Sequence, residues 1–192
     1  MFSRYCVLAY ILLPFRMFMQ PLRIAVTGTP GSGKTSFCNY GNINSIKVLD
    51  LAKSYDGVVE ESLNSELSLI DVDLLNEILT EEWRKPPESN LFIDGHLSHN
   101  LPVDSVILLR CRPDVLESRL QSRNWSEEKI VENVECELLS TIAGELDEKS
   151  STVEIDTTDK KTSEIWEEVN EWLNGERKTQ MLQIDWIAEL HS

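Results

Sequence analysis

The stretch Gly28-Thr29-Pro30-Gly31-Ser32-Gly33-Lys34-Thr35 satisfies the pattern G-x-x-x-x-G-K-[ST] at every fixed position. It follows the apolar run Leu22, Ile24, Ala25 and Val26, which has strand length and strand character, and it opens onto a helical segment. Residue frequencies put a chance match in a chain of this length on the order of one per cent. Glycines in such a loop let the backbone approach a ligand with no Cβ in the way. Successive N–H groups then converge into a concave anion site, and the helix that starts at Lys34 adds its positive end. Lys34 is placed to reach the β- and γ-phosphates of a nucleoside triphosphate, and Thr35 to ligate Mg²⁺ through its hydroxyl.

Outward from this loop, strands alternate with helices. Leu22–Thr27, Ile46–Leu49, Leu91–Ile93, Val106–Leu109 and Val153–Ile155 read as strands. Helices are expected at Lys34–Tyr40, Asp50–Tyr55, Val72 to Trp83, Pro113 to about Gln121, from Asn124 or Ser126 onward, and Thr162–Leu173. Gly41 ends the first helix early, and residues 58–70 read as acidic and irregular. This alternation predicts an α/β fold, a parallel sheet wrapped by helices. The tail after Gly175 carries Met181, Leu182, Ile184, Trp186, Ile187 and Leu190, and is expected to form a short amphipathic helix packing on the chain's own core.

The 192 residues suit one domain. Thirty-three acidic residues against 18 basic give a net charge of −15, which argues against direct nucleic-acid binding through a basic surface and favours a basic protein partner or simple solubility. Cys6, Cys38, Cys111 and Cys136 have neither CxxC nor metal-ligand spacing, and read as reduced thiols of a cytoplasmic protein. The apolar run over residues 5–15 is too short to span a membrane, so no membrane association is expected. Residues 1–18 read as a non-native or disordered N-terminal extension, with translation beginning at Met17 or Met19.

A second constellation surrounds Asp94, where a carboxylate closes an apolar strand and is suited to hold the magnesium shell. His96 follows two residues on, in Asp94-Gly95-His96-Leu97-Ser98-His99, and could orient water or a phosphate; both histidines could equally be structural. Arg119 and Arg123 could close over a triphosphate, or Arg119 could pair with Glu117 or Glu127 on the surface. Arg110 and Arg112 are further candidates. No [NT]-K-x-D guanine motif follows the fourth strand, which disfavours a GTPase.

Taken in order, the phosphate loop, Asp50-Leu51-Ala52, Tyr55-Asp56-Gly57, Ile93-Asp94-x-His96, Leu109-Arg110, Arg119-Leu120, the segment Arg123 to Ile130, Glu132-Asn133 and Glu137 resemble the atypical adenylate kinases of the CINAP type found in archaea and eukaryotes. The resemblance spans about residues 22–174. It implies a three-layer P-loop nucleoside-monophosphate-kinase fold with strand order 2-3-1-4-5 over residues 19–175, and a separate tail at 176–192. It implies phosphoryl transfer from ATP, with Mg²⁺, to AMP or a similar monophosphate, together with ATPase activity. It also implies a basic small-subunit ribosomal protein of the platform as partner, and a role in small-ribosomal-subunit rRNA maturation. Carried over, Gly31, Gly33, Lys34, Thr35 and Ser36 bind the ATP phosphates, Arg123 lies on ATP, and Lys160 falls near the adenine. Asp94 and His96 form the pair at the strand end. Residues 47 to about 70 become the monophosphate segment, with Asp50 and Lys53 toward the substrate, and residues 122 to about 132 become the lid.

The sequence departs from ordinary adenylate kinases in its acceptor half. Residues 47–70 contain no Arg, and Lys47 and Lys53 are the segment's cations against Asp50, Asp56, Glu60, Glu61 and Glu66. An ATPase switch that binds a basic ribosomal protein with little kinase turnover is therefore a competing reading, and another small-molecule P-loop kinase is a third. For the N-terminus, mass spectrometry of the natural protein is expected to find peptides starting at Met17 or Met19; a peptide containing Tyr5 or Tyr10 contradicts this.

Overall fold

The computed structural model describes residues 20–60, 69–146, 150–175, 178–181 and 184–190, so the expectation for residues 1–18 lies outside the described residues. The chain begins with β1 (Arg23–Thr27), the phosphate loop, α1 (Lys34–Cys38), β2 (Ser45–Lys47) and α2 (Val48–Ser54). A hairpin of β3 (Val58–Glu60) and β4 (Leu69–Ile70) leads into α3 (Val72–Glu82), β5 (Leu91–Asp94) and β6 (Ser105–Arg110). Then come α4 (Pro113–Gln121), α5 (Glu127–Leu138), α6 (Thr141–Glu145), β7 (Ser151–Asp156), α7 (Thr162–Asn174) and α8 (Trp186–Leu190).

The main sheet runs β2-β5-β1-β6-β7, with every pairing parallel. Counted among its own five strands this is the order 2-3-1-4-5; the hairpin strands only shift the labels. Every residue of β1 is buried, as expected of a central strand with helices on both faces. The period of two splits the strand side chains between those layers. Ile24, Val26, Phe92, Ile107, Leu109, Val153 and Ile155 pack on one face with Phe37 of α1 and Ile165, Val169 and Trp172 of α7. Ile93 faces the other way, toward Leu51 of α2 and Leu75 and Leu79 of α3. A third cluster, Leu116, Leu120 and Ile130, joins α4 to α5.

One local expectation is corrected, one open choice is settled and one short helix was not anticipated. Val58–Glu60 pairs antiparallel with Leu69–Ile70, where the acidic composition suggested irregular chain; Val58 and Ile70 turn toward the α2–α3 cluster and stabilise the pairing. Ser126 caps α5 and accepts from the Lys129 N–H, whereas Asn124 takes the left-handed conformation at φ 57° and ends the preceding turn. The short α6 had no apolar periodicity to announce it, and none of its residues is buried.

The described residues of the tail pack against the domain. Gln180 pairs with β7, accepting from the Glu154 N–H at 2.8 Å and donating to Thr152 at 2.7 Å, and Trp186 is 2% exposed. Among the described residues, no helix is long and apolar enough to cross a membrane.

Phe37 sits at the junction of the loop helix and the core, 6.0 Å from the rings of both Phe92 and Trp166. Phe37→Ala is expected to cost about 3–5 kcal/mol in a denaturant titration; a loss below about 1 kcal/mol contradicts this packing.

Candidate functional site

The carboxyl ends of β1, β5, β6 and β7 converge on one edge of the sheet, where α/β proteins place their ligands. The loop from β1 crosses this edge with Gly28, Gly31 and Gly33 at φ 139°, 94° and 102°. At Gly28 the need is for contact as well as conformation, since a Cβ would lie 2.2 Å from the Leu109 carbonyl oxygen. At Gly33 nothing lies within 4 Å of a Cβ, so glycine is required there for its backbone alone. Gly33 precedes α1 without a side-chain cap and with no acidic residue in the first turn. The first-turn N–H groups have no acceptor one turn earlier within the helix, an arrangement that suits an anion.

Lys34 is 8% exposed, and its ammonium donates to the carbonyls of Gly28 at 2.7 Å and Thr29 at 3.0 Å. The Thr35 hydroxyl donates to Asp94 Oδ2 at 2.8 Å, so the two oxygen donors assigned to magnesium from sequence do lie together. Hard oxygen donors beside a phosphate loop fit Mg²⁺. Among the described residues, no cluster of three or more His, Cys, Asp and Glu residues forms a separate metal site.

Two cavities flank the loop. One, of about 430 Å³, is lined by Lys34, Thr35, Asp94 and His96 on the sheet side, Lys47, Val48 and Ile70 from the segment between β2 and α3, and Arg123 and Trp125 from the α4–α5 connection. The other, of about 360 Å³, is lined by Gly31, Gly33, Ser36, Arg119, Arg123 and Lys160, among others. Arg123 borders both. Lys160 is held by Glu168 at 2.7 Å on the rim of the second cavity. Asp50 and Lys53 stand exposed on α2, outside the residues lining either cavity, while Lys47 at the start of that helix lines the first.

Arg119 pairs with neither Glu117 nor Glu127. It donates to the carbonyls of Gly31 (3.2 Å), Thr157 (3.1 Å) and Thr158 (3.2 Å), fastening the loop to the β7–α7 connection. Arg110 is 2% exposed and engaged by Glu137 and Glu154, each at 2.7 Å, beneath the loop. Arg112 pairs with Asp114 at the surface. Trp125 and Lys47 join the cavity lining with no site role expected for them; an aromatic in a helix connection and a lysine closing a short strand are weak signals without the fold that brings them together.

Burial, followed by the Lys34, His99 and Lys129 charges, pushes the His96 imidazole down to about 4. It is therefore neutral at physiological pH and can accept or donate one hydrogen bond without carrying charge. Burial also raises the Cys38 and Cys111 thiols, the latter to about 11, which keeps them protonated and unreactive. His99 is anchored between Thr27 Oγ1 at 2.9 Å and Glu145 Oε2 at 3.1 Å and faces neither cavity.

A family model described as "AAA domain" matches residues 24–140. An Archaeoglobus fulgidus protein named "Putative adenylate kinase" is 39% identical over 175 residues, covering 87% of this chain and 93% of that protein. A Methanocaldococcus jannaschii protein of the same name is 33% identical over 172 residues, covering 88% and 94% respectively. Among solved structures, TT1252 from Thermus thermophilus aligns at a TM-score of 0.52 with 14% identity, over 82% of this chain and 100% of its own. Shikimate kinase from Bacteroides thetaiotaomicron aligns at 0.52 with 16% identity, over 80% and 99%. At these identities the two structures support the fold alone.

The His96 shift fixes a sign. The unfolded chain takes up this proton near 6.5 and the folded chain only near 4, so His96 lowers stability progressively as pH falls between those values. An NMR titration of the His96 ring is expected to show no protonation above pH 5; a midpoint at or above 6 contradicts the buried, cation-flanked environment.

Proposed function

The chain belongs to the family of these archaeal adenylate kinase relatives, and from that premise we propose that it transfers the γ-phosphoryl group of ATP to AMP or a similar nucleoside monophosphate. The observation that carries this reading is the pair of cavities meeting at the phosphate loop with Arg123 on both. A pure triphosphate site needs one pocket; a transfer site needs a donor and an acceptor pocket that share the reacting phosphoryl group. The donor side is the cavity of Gly31, Gly33, Ser36 and Lys160. The acceptor side is the cavity of Lys47, His96 and Trp125.

Catalysis in this arrangement is positioning and charge dispersal, as expected for phosphoryl transfer. The loop N–H groups and Lys34 hold the β- and γ-phosphates. Arg123 reaches the transferred group from the lid. Mg²⁺, held through Thr35 and Asp94, would neutralise charge on the phosphate oxygens. His96, being neutral, orients an oxygen of the acceptor or of a water molecule without adding repulsion or attraction of its own. The apolar flanks from Val48 and Ile70, with the Trp125 ring, suit a base plane.

ATP hydrolysis accompanies transfer in this proposal. Lys47 is the monophosphate segment's one cation on the acceptor cavity among the described residues, and a weakly held acceptor leaves water as a competitor. The net charge of −15 supports a basic protein partner, and with the sequence resemblance it leads us to propose a ribosomal protein and a part in small-subunit maturation.

The test is ADP output with Mg²⁺ and ATP, with and without AMP. AMP is expected to raise it well above hydrolysis alone, and no increase contradicts the kinase reading. Lys34→Ala is expected to abolish turnover. Arg123→Ala is expected to lose about 2–4 kcal/mol of transition-state stabilisation in kcat/KM, and a change within about twofold contradicts its role.

A further inference from the structure

Outside the two cavities, the Glu137 carboxylate accepts four hydrogen bonds. It is 2% exposed, near the carboxyl end of α5, the helix that the lid runs into. Its Oε1 accepts from Arg110 Nε at 2.7 Å, from Trp186 Nε1 at 3.0 Å and from the Cys111 N–H at 3.2 Å. Its Oε2 accepts from the hydroxyl of Thr29, the second residue of the phosphate loop, at 2.5 Å. Thr29 is itself 2% exposed.

The Thr29 carbonyl then accepts from two groups of the loop, the Ser32 N–H at 3.0 Å and the Lys34 ammonium at 3.0 Å. A continuous line of hydrogen bonds therefore runs from the tail to the catalytic lysine: Trp186, Glu137, Thr29, Lys34. The tail's end of that line is seated independently. Gln180 pairs along β7, the Trp186 ring lies 5.9 Å from the Arg110 guanidinium, and the Ser140 hydroxyl accepts from Arg110 at 2.9 Å and donates to the Ile184 carbonyl at 3.4 Å.

A purely structural ion pair does not need this arrangement. Arg110 is already neutralised by Glu137 and Glu154, and Oε2 of Glu137 is the atom turned to the loop. A buried carboxylate fully supplied with donors is rigid, and it transmits that rigidity to what it holds. A threonine at position 29 also meets no requirement of the phosphate-loop pattern, which leaves that position open.

We propose that Glu137 is a positioning residue for the phosphate loop, acting through Thr29 on Lys34, and that the C-terminal tail belongs to the active-site scaffold because Trp186 completes the Glu137 cage. This rests on the loop binding MgATP, as the proposed function requires. Truncating Glu137 itself would strand Arg110 in the core, so the informative variants are Thr29→Val, which removes only the hydroxyl, and Trp186→Phe, which removes only the N–H and keeps a ring against Arg110.

The experiment is isothermal titration calorimetry of MgATP with the full chain, both single variants and the double variant, with the melting temperature of each recorded. Thr29→Val is expected to weaken MgATP binding about tenfold and Trp186→Phe about threefold, in the range of single lost hydrogen bonds. The double variant is expected to bind like Thr29→Val alone, because Trp186 acts through the same line. If Trp186→Phe lowers the melting temperature but binds MgATP like the wild type, or if the two effects multiply in the double variant, the positioning role is overturned. A wild-type chain that binds no MgATP overturns the phosphotransfer reading as well, which separates the two failures.

Discussion

The site depends on one close approach. Gly28 lies so near the Leu109 carbonyl that a Cβ would come within 2.2 Å of it, and this seats the phosphate loop on the carboxyl end of β6. From that seat Thr35 meets Asp94 at the end of β5, Lys34 folds over the loop carbonyls, and Arg119 reaches across to the carbonyls after β7. The contacts of Gly28, Thr35 and Arg119 reach to or beyond different strands of the parallel sheet, so register errors along its edge would pull these groups away from the loop.

The central fold was legible because it rests on local rules. A glycine-rich loop after an apolar strand, strands alternating with helices, and an aspartate closing β5 are all short-range signals, and the five-stranded order followed from them with the resemblance. The misreadings have a common physical origin in long-range contacts. Val58 and Ile70 become strand residues only because α2 and α3 give them a surface to cover. Of the two readings open for Arg119, the surface pair with Glu117 or Glu127 fails because its guanidinium serves carbonyls of residues 31, 157 and 158, and it still lines the cavity beside the loop. Glu137 and Trp186, 49 positions apart, carried no sequence signal of their partnership.

Charge is distributed to the same end. The chain is strongly acidic overall, yet cations line both cavities beside the loop: Lys34, Lys47 and Arg123 in one, Arg119, Arg123 and Lys160 in the other. The cavity of Lys34 and Lys47 differs in adding Asp94, a neutral His96 and apolar walls from Val48 and Ile70. Under the proposed function, occupancy of the cavity of Lys47, His96 and Trp125 by a monophosphate decides between transfer and hydrolysis.

The fate of the γ-phosphoryl group tests this account most directly. With γ-labelled ATP, Mg²⁺ and saturating AMP, the label is expected to appear chiefly in the β-position of newly formed ADP, and to shift to inorganic phosphate when AMP is withheld. Label that goes only to inorganic phosphate at every AMP concentration would contradict the assignment of the cavity of Lys47, His96 and Trp125 to an acceptor.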